Sequence, residues 1–106
     1  MIKLKGSHRT YLRGLAHKLK PVVQVGRNGV SADVLSAVRE ALEFHELIKL
    51  KFLEYKEQKD ELAHQIAEQT DSELVGRIGN MAILYREQPD PEKRRIVLPK
   101  IKSSDS

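Results

Sequence analysis

Two glycines, Gly26 and Gly29, bracket a cation and an amide, Arg27 and Asn28, and Ser31 follows shortly after. Glycine reaches positive φ without steric penalty and lets a foreign backbone come close, so a Gly-x-x-Gly loop can lie against a phosphodiester chain. Ser31 is a good N-cap, and a helix starting there turns free N–H groups and its positive dipole end toward whatever occupies the loop. An isolated Gly-x-x-Gly is more simply a turn between two elements, so the rest of the chain must decide.

Charge is the second feature. The net +4 of this 106-residue chain is unevenly spread: residues 1–32 hold seven basic residues and no acid, and the remainder holds twelve basic residues against fifteen acids. The positive field therefore sits in the segment that ends at the Gly-x-x-Gly loop. Such asymmetry points to a polyanion, with nucleic acid ahead of membrane because no large exposed apolar face accompanies the charge.

Other chemistries lack their residues. The absence of cysteine removes disulfides, thiolate zinc sites and thiol catalysis. Gly26 to Ser31 satisfies neither the P-loop nor the dinucleotide fingerprint. His8, His17, His45 and His64 form no His-x-x-x-His pair and no cluster with carboxylates at ligand spacing, so neither a metal nor another cofactor is expected. No nucleophile has a base beside it, and Asp60 and Glu61 sit on a solvated helix edge; an enzyme is not expected. No apolar run approaches the roughly 20 residues that cross a bilayer, and the basic N-terminus lacks the long apolar stretch of a signal peptide. A cytoplasmic protein without membrane or small-molecule partner is expected, and nothing demands more than a monomer.

The elements that position these residues follow from periodicity. Residues 7–20 predict a helix with Ser7 as N-cap, on which Tyr11, Leu12, Leu15, Ala16 and Leu19 form an inward arc. Arg9, Arg13, His17 and Lys20 fall within another arc of under about 90°, with no acid interleaved to pair with them. That stripe is a solvated face or a binding face, and the missing acids favour binding. Pro21 ends the helix, and residues 22–25 predict a buried strand. A second amphipathic helix runs from Ser31 to about Phe44, with an acidic outer face of Asp33, Glu40 and Glu43, and with His45 on its apolar side. Residues 47–52 alternate as a strand, with Ile48, Leu50 and Phe52 on one face and Leu47, Lys49 and Lys51 on the other. Lys49 and Lys51 could contact phosphate or sit over helix carboxylates. A third helix is expected over about 58–69, then a hairpin of 73–78 and 81–86 around Gly79-Asn80. The expected order is α-β-α-β-α-β-β, an α/β chain of α+β two-layer type with a four-stranded mixed sheet. One domain is expected over 1–99, less regular from residue 87, with a flexible tail over 100–106.

Four ordered motifs then carry a family resemblance. Leu12-Arg13-Gly14-Leu15-Ala16-His17 with Leu19-Lys20-Pro21-Val22-Val23, Gly26-Arg27-Asn28-Gly29, Glu43 through Lys51, and Ile78 through Arg86 together resemble the CRM domain (chloroplast RNA splicing and ribosome maturation). Length and the segment Arg95-Ile96-Val97-Leu98-Pro99 are similar to the bacterial single-domain, YhbY-type members. The resemblance implies RNA binding, association with precursors of the large ribosomal subunit, and a fold similar to the C-terminal domain of translation initiation factor three. It also implies that Gly26, Arg27, Asn28 and Gly29 contact RNA, supported by basic residues nearby. Asp71 departs from the family pattern, which carries glycine there, and aspartate tolerates a left-handed turn moderately well.

The expected RNA-contacting set is therefore Gly26, Arg27, Asn28 and Gly29 with Arg9, Arg13, His17, Lys18, Lys20, Lys49 and Lys51. Loop amides and Asn28 would bond phosphates or riboses while the cations supply charge. With few aromatics, and Tyr11 expected in the core, shape is a better basis for recognition than base stacking. Two alternatives stay open: a module docking on a ribosomal protein through Ile96 to Leu98, and a nucleotide-dependent enzyme using the start of the second helix as a phosphate cradle.

Overall fold

The computed structural model describes residues 4–98. Pro99 and the tail over 100–106 lie outside the described residues, and the expectation of a flexible tail with them.

The first helix, α1 (Gly6–Ala16), begins one residue before the expected start. Its N-cap is Lys5 rather than Ser7, and the Lys5 N–H donates to His8 Nδ1 at 3.3 Å. It also ends earlier than expected, at Ala16. Lys20 precedes proline and is pushed out of the helical region, so the chain uses residues 17–20 to turn into β1 (Pro21–Val25). The helix α2 (Ala32–His45) then leads to β2 (Leu47–Phe52), and a short 3₁₀ turn over Lys56–Gln58 opens α3 (Lys59–Gln69). The hairpin β3 (Glu73–Ile78) and β4 (Met81–Tyr85) closes the sheet, with Gly79 supplying φ +58° at the turn.

The sheet order is β1-β2-β4-β3, with β1 and β2 parallel and the other pairs antiparallel. The four-stranded mixed sheet and the element order agree with expectation; the layering does not. Strand alternation gives two apolar faces. Val23, Val25, Ile48, Leu50, Phe52, Ala82 and Leu84 face Val38 and Leu42 of α2 and Ala63 and Ile66 of α3. Leu47, Val75, Ile83 and Tyr85 face Leu12 and Ala16 of α1 on the other side. The architecture thus has three layers, because the central strand β4 is buried on both faces and needs a cover on each.

The inward arc of α1 is narrower than its apolar content. Only His8, Leu12 and Ala16 are buried, whereas Tyr11, Leu15 and Leu19 are exposed, which corrects the expectation that Tyr11 lies in the core. His45, expected on the apolar side of α2, is exposed with its ring near that of Phe44.

Candidate nucleic-acid interface

The loop takes shape at the end of β1. Val25 O accepts from Leu53 N–H at 2.9 Å, which carries the pairing with β2 one step past its end. Gly29 N–H then donates to Gly26 O at 3.0 Å, closing a four-residue turn, and Ser31 N–H donates to Gly29 O at 3.0 Å. Gly29 takes φ +67°, the left-handed conformation that glycine adopts without strain. Ser31 caps α2 as expected, its hydroxyl accepting from Val34 N–H at 3.2 Å. Asp33 occupies the first turn and offsets part of the helix's positive end.

A residue that periodicity did not single out braces this turn. Tyr55, itself at φ +58°, donates its hydroxyl to Arg27 O at 2.6 Å, and its ring lies 3.5 Å from where a Cβ on Gly29 would stand. Its position next to a charged connection between β2 and α3 carried no signal in the sequence. The outcome is a turn pinned from inside whose central residues face outward. The N–H groups and side chains of Arg27 and Asn28 have no hydrogen-bond partner among the described residues.

The expected cations divide into four groups. Lys51 is exposed and pairs across the sheet with Gln24 and Met81, on the face that carries α1 but beyond the part that α1 covers. Gln24, Lys51 and Ile78, exposed, and Met81, half-buried, make a strip across all four strands there that α1 leaves uncovered. At roughly 3.3 Å per residue, Lys51 is one residue short of Phe52, the partner of Val25 where the loop begins.

His17 and Lys18, at the end of α1, are exposed, as is Lys20 before β1. The backbone there is tied to the sheet by Lys49, whose Nζ donates to Leu19 O at 2.9 Å and His17 O at 3.4 Å. Three residues of β2, about 10 Å at strand rise, separate that level from the loop.

Lys49 itself must be removed from the expected contact set. It is buried, and its ammonium caps the carbonyls behind α1, where the helix presents its negative end. Alternation placed Lys49 and Lys51 on the same face correctly; what differs is that the end of α1 lies over the first and not the second.

Arg9 and Arg13 reach the opposite edge of the sheet. Arg9 Nη1 donates to Leu74 O at 2.5 Å and Nη2 pairs with Glu73 at 3.5 Å. Arg13 Nη1 donates to Val75 O at 3.5 Å, and its stem lies over Gly76, where a Cβ would stand 2.9 Å from Arg13 Cδ. Both guanidiniums thus cover carbonyls of the edge strand β3, three strand spacings or about 14 Å from β1. The helix-one stripe does not gather beside the loop as a unit.

Two further residues escaped sequence reasoning. Glu46, following α2, is buried at φ +62°; its Oε1 accepts from Arg95 and Ile96 N–H at 2.5 and 2.9 Å, and its Oε2 from Gln88 N–H at 2.8 Å. This carboxylate anchors the irregular segment after β4 and offsets the strain of a non-glycine residue at positive φ. Tyr85 lies beneath α1 with its hydroxyl buried and without a hydrogen-bond partner among the described residues, and burial, then the charge of Glu46, pushes its pKa up to about 12. Among the described residues, no cluster of three or more histidine or acidic groups could hold a metal, and no helix is long and apolar enough to cross a membrane.

The pattern of similarity to known proteins agrees with this architecture. The chain is 39% identical over 97 residues to the "Probable RNA-binding protein YqeI" of Bacillus subtilis, covering 91% of this chain and 99% of the relative. It is 38% identical over 101 residues to a Haemophilus influenzae "RNA-binding protein", covering 94% and 99%. The solution structure of SAV1595 from Staphylococcus aureus superposes with a TM-score of 0.79 at 39% identity, over 92% of this chain and all of that one. The family model of the CRS1 / YhbY (CRM) domain matches residues 4–86, from the first described residue through the end of the sheet, and the chain belongs to that family.

Proposed function

We propose that the protein binds RNA, and that it does so by the sugar-phosphate backbone at the Gly26–Gly29 turn and the uncovered sheet strip beside it. The observation that carries this reading is the turn itself: it is braced internally by Gly26 O, Ser31 and Tyr55, so the N–H groups of Arg27 and Asn28 are left over for an outside acceptor. The names of the relatives support the ligand class. Arg27, Lys51 and Lys18 supply charge, His17 and Lys20 flank them, and Asn28 offers an amide to phosphate or ribose. Arg9 and Arg13, engaged on β3, are placed at the margin of the contact. The family resemblance extends the proposal to precursors of the large ribosomal subunit, bound in the cytoplasm.

Counterion release gives this reading a number. About four phosphate contacts at a slope of about 0.7–0.9 each predict that log affinity falls with log salt at a slope near −3, about 60-fold between 50 and 200 mM. Filter binding to a large-subunit ribosomal RNA fragment tests it with two charge-matched double variants. Arg27→Asp with Asn28→Asp is expected to lower affinity about tenfold or more, while Lys93→Glu with Gln65→Glu changes it less than about twofold. Equal losses from the two pairs, with melting temperatures unchanged, would reduce the turn to a connection.

A further inference from the structure

The fold leaves an apolar ridge on and just after α1 partly uncovered. Leu12 and Ala16 already supply the helix's core stripe, yet Tyr11 and Leu15, with Leu19 in the turn that follows, form a second one, each 38–40% exposed. With Val22 and Val97, which are 52% and 81% exposed, this ridge lines a groove of about 720 Å³ between α1, the start of β1 and the C-terminal segment. An exposed apolar patch with a polar rim marks an interaction site. The charged or titratable members of the lining among the described residues are Tyr11, Lys20, His45 and Arg95, and none of them is a carboxylate.

We propose that this groove docks an amphipathic, acidic segment of another protein, helical and presenting apolar anchors on one face with carboxylates beside them. Apolar walls accept helix-spaced anchors, and the cationic rim selects the sign of the flanking charge. The wall bearing Arg95 and Val97 is preformed, because the buried Glu46 carboxylate holds the N–H groups of Arg95 and Ile96. The chain's own residues 99–106 fit less well, since Lys100 and Lys102 would meet a rim of like charge. RNA fits less well too: Leu15, Leu19, Val22 and Val97 offer no donor to phosphate, and among the described residues of the lining only Tyr11 and His45 carry a ring on which a base could stack.

The test titrates the full, methyl-labelled chain with a synthetic peptide carrying leucines at i, i+3, i+4 and i+7 and glutamates elsewhere, beside a twin with lysines for glutamates. Saturable shifts are expected at the methyls of Leu15, Leu19, Val22 and Val97, with the lysine twin binding about tenfold more weakly. Arg95→Glu is expected to narrow or reverse that preference, while Val97→Ser weakens the acidic peptide without reversing it. Equal binding of the twins overturns the proposal. So do shifts at these methyls caused by an RNA oligonucleotide alone, or by raising protein concentration alone.

Discussion

Replacing Tyr85 with phenylalanine removes one oxygen from the interior and leaves the ring in place. The residue is fully buried between α1 and the sheet, and its hydroxyl has no hydrogen-bond partner among the described residues. A buried, unsatisfied hydroxyl costs about 1–3 kcal/mol, so Tyr85→Phe is expected to match the parent at neutral pH or exceed it by about 1 kcal/mol. The alkaline range adds a second, signed effect. An unfolded tyrosine ionises near pH 10, whereas here burial first, then the charges of Glu46 and Glu87, raise the folded value to about 12 against the opposing Arg94. The folded state then holds a proton that the unfolded state has released. Stability is intact below pH 10 and is lost as pH rises toward 12, by about 3 kcal/mol over two units. Tyr85→Phe lacks this loss. Urea denaturation of both proteins at steps from pH 7 to 11.5 measures it, and the advantage of the variant should widen above pH 10. Stability curves that stay parallel, or a loss of more than about 1 kcal/mol at pH 7, would mean that the hydroxyl has a partner and refute the reasoning.

Three other substitutions test particular contacts. Tyr55→Phe deletes the 2.6 Å bond to Arg27 O and keeps the ring against Gly29; stability should fall by less than about 1 kcal/mol while amide exchange at Arg27 and Asn28 accelerates. Asp71 stands at φ +53°, so Asp71→Gly should be neutral or stabilising by up to about 1 kcal/mol and Asp71→Val should cost about 1–2 kcal/mol, read by thermal unfolding. Gly76→Ala drives a Cβ to 2.9 Å from Arg13 Cδ; it should destabilise the parent and spare an Arg13→Ala background, a non-additivity of at least about 0.5 kcal/mol in a double-mutant cycle.

The order of elements was legible because each carries a local signal. Strict alternation marks Leu47–Phe52, Ser31 marks the start of α2, and Gly79-Asn80 marks the hairpin. Asp71 was legible as a left-handed position from the family pattern alone. What could not be read locally depends on where distant pieces meet. The width of the apolar arc on α1 shows that Tyr11, Leu12, Leu15, Ala16 and Leu19 share a side, but only the position of the helix over β4 decides that Leu12 and Ala16 are inside. The same docking separates Lys49 from Lys51, which alternation cannot distinguish. Arg9 and Arg13 formed a stripe with His17 and Lys20 on the helix, yet their guanidiniums turn to the carbonyls of β3. Tyr55 and Glu46 act through partners 28 and 42 or more residues away, and neither sits in a pattern that names its role.

The central claim is that RNA backbone settles on the Gly26–Gly29 turn and the sheet strip beside it. Amide shift mapping of the full, isotope-labelled chain with a large-subunit ribosomal RNA fragment measures this directly. Arg27, Asn28, Gly29 and Lys51 are expected to move together while the outer face of α2 beyond its first turn, with Glu40 and Glu43, stays silent. A footprint on that acidic face, with the amides of the turn unmoved, would contradict it.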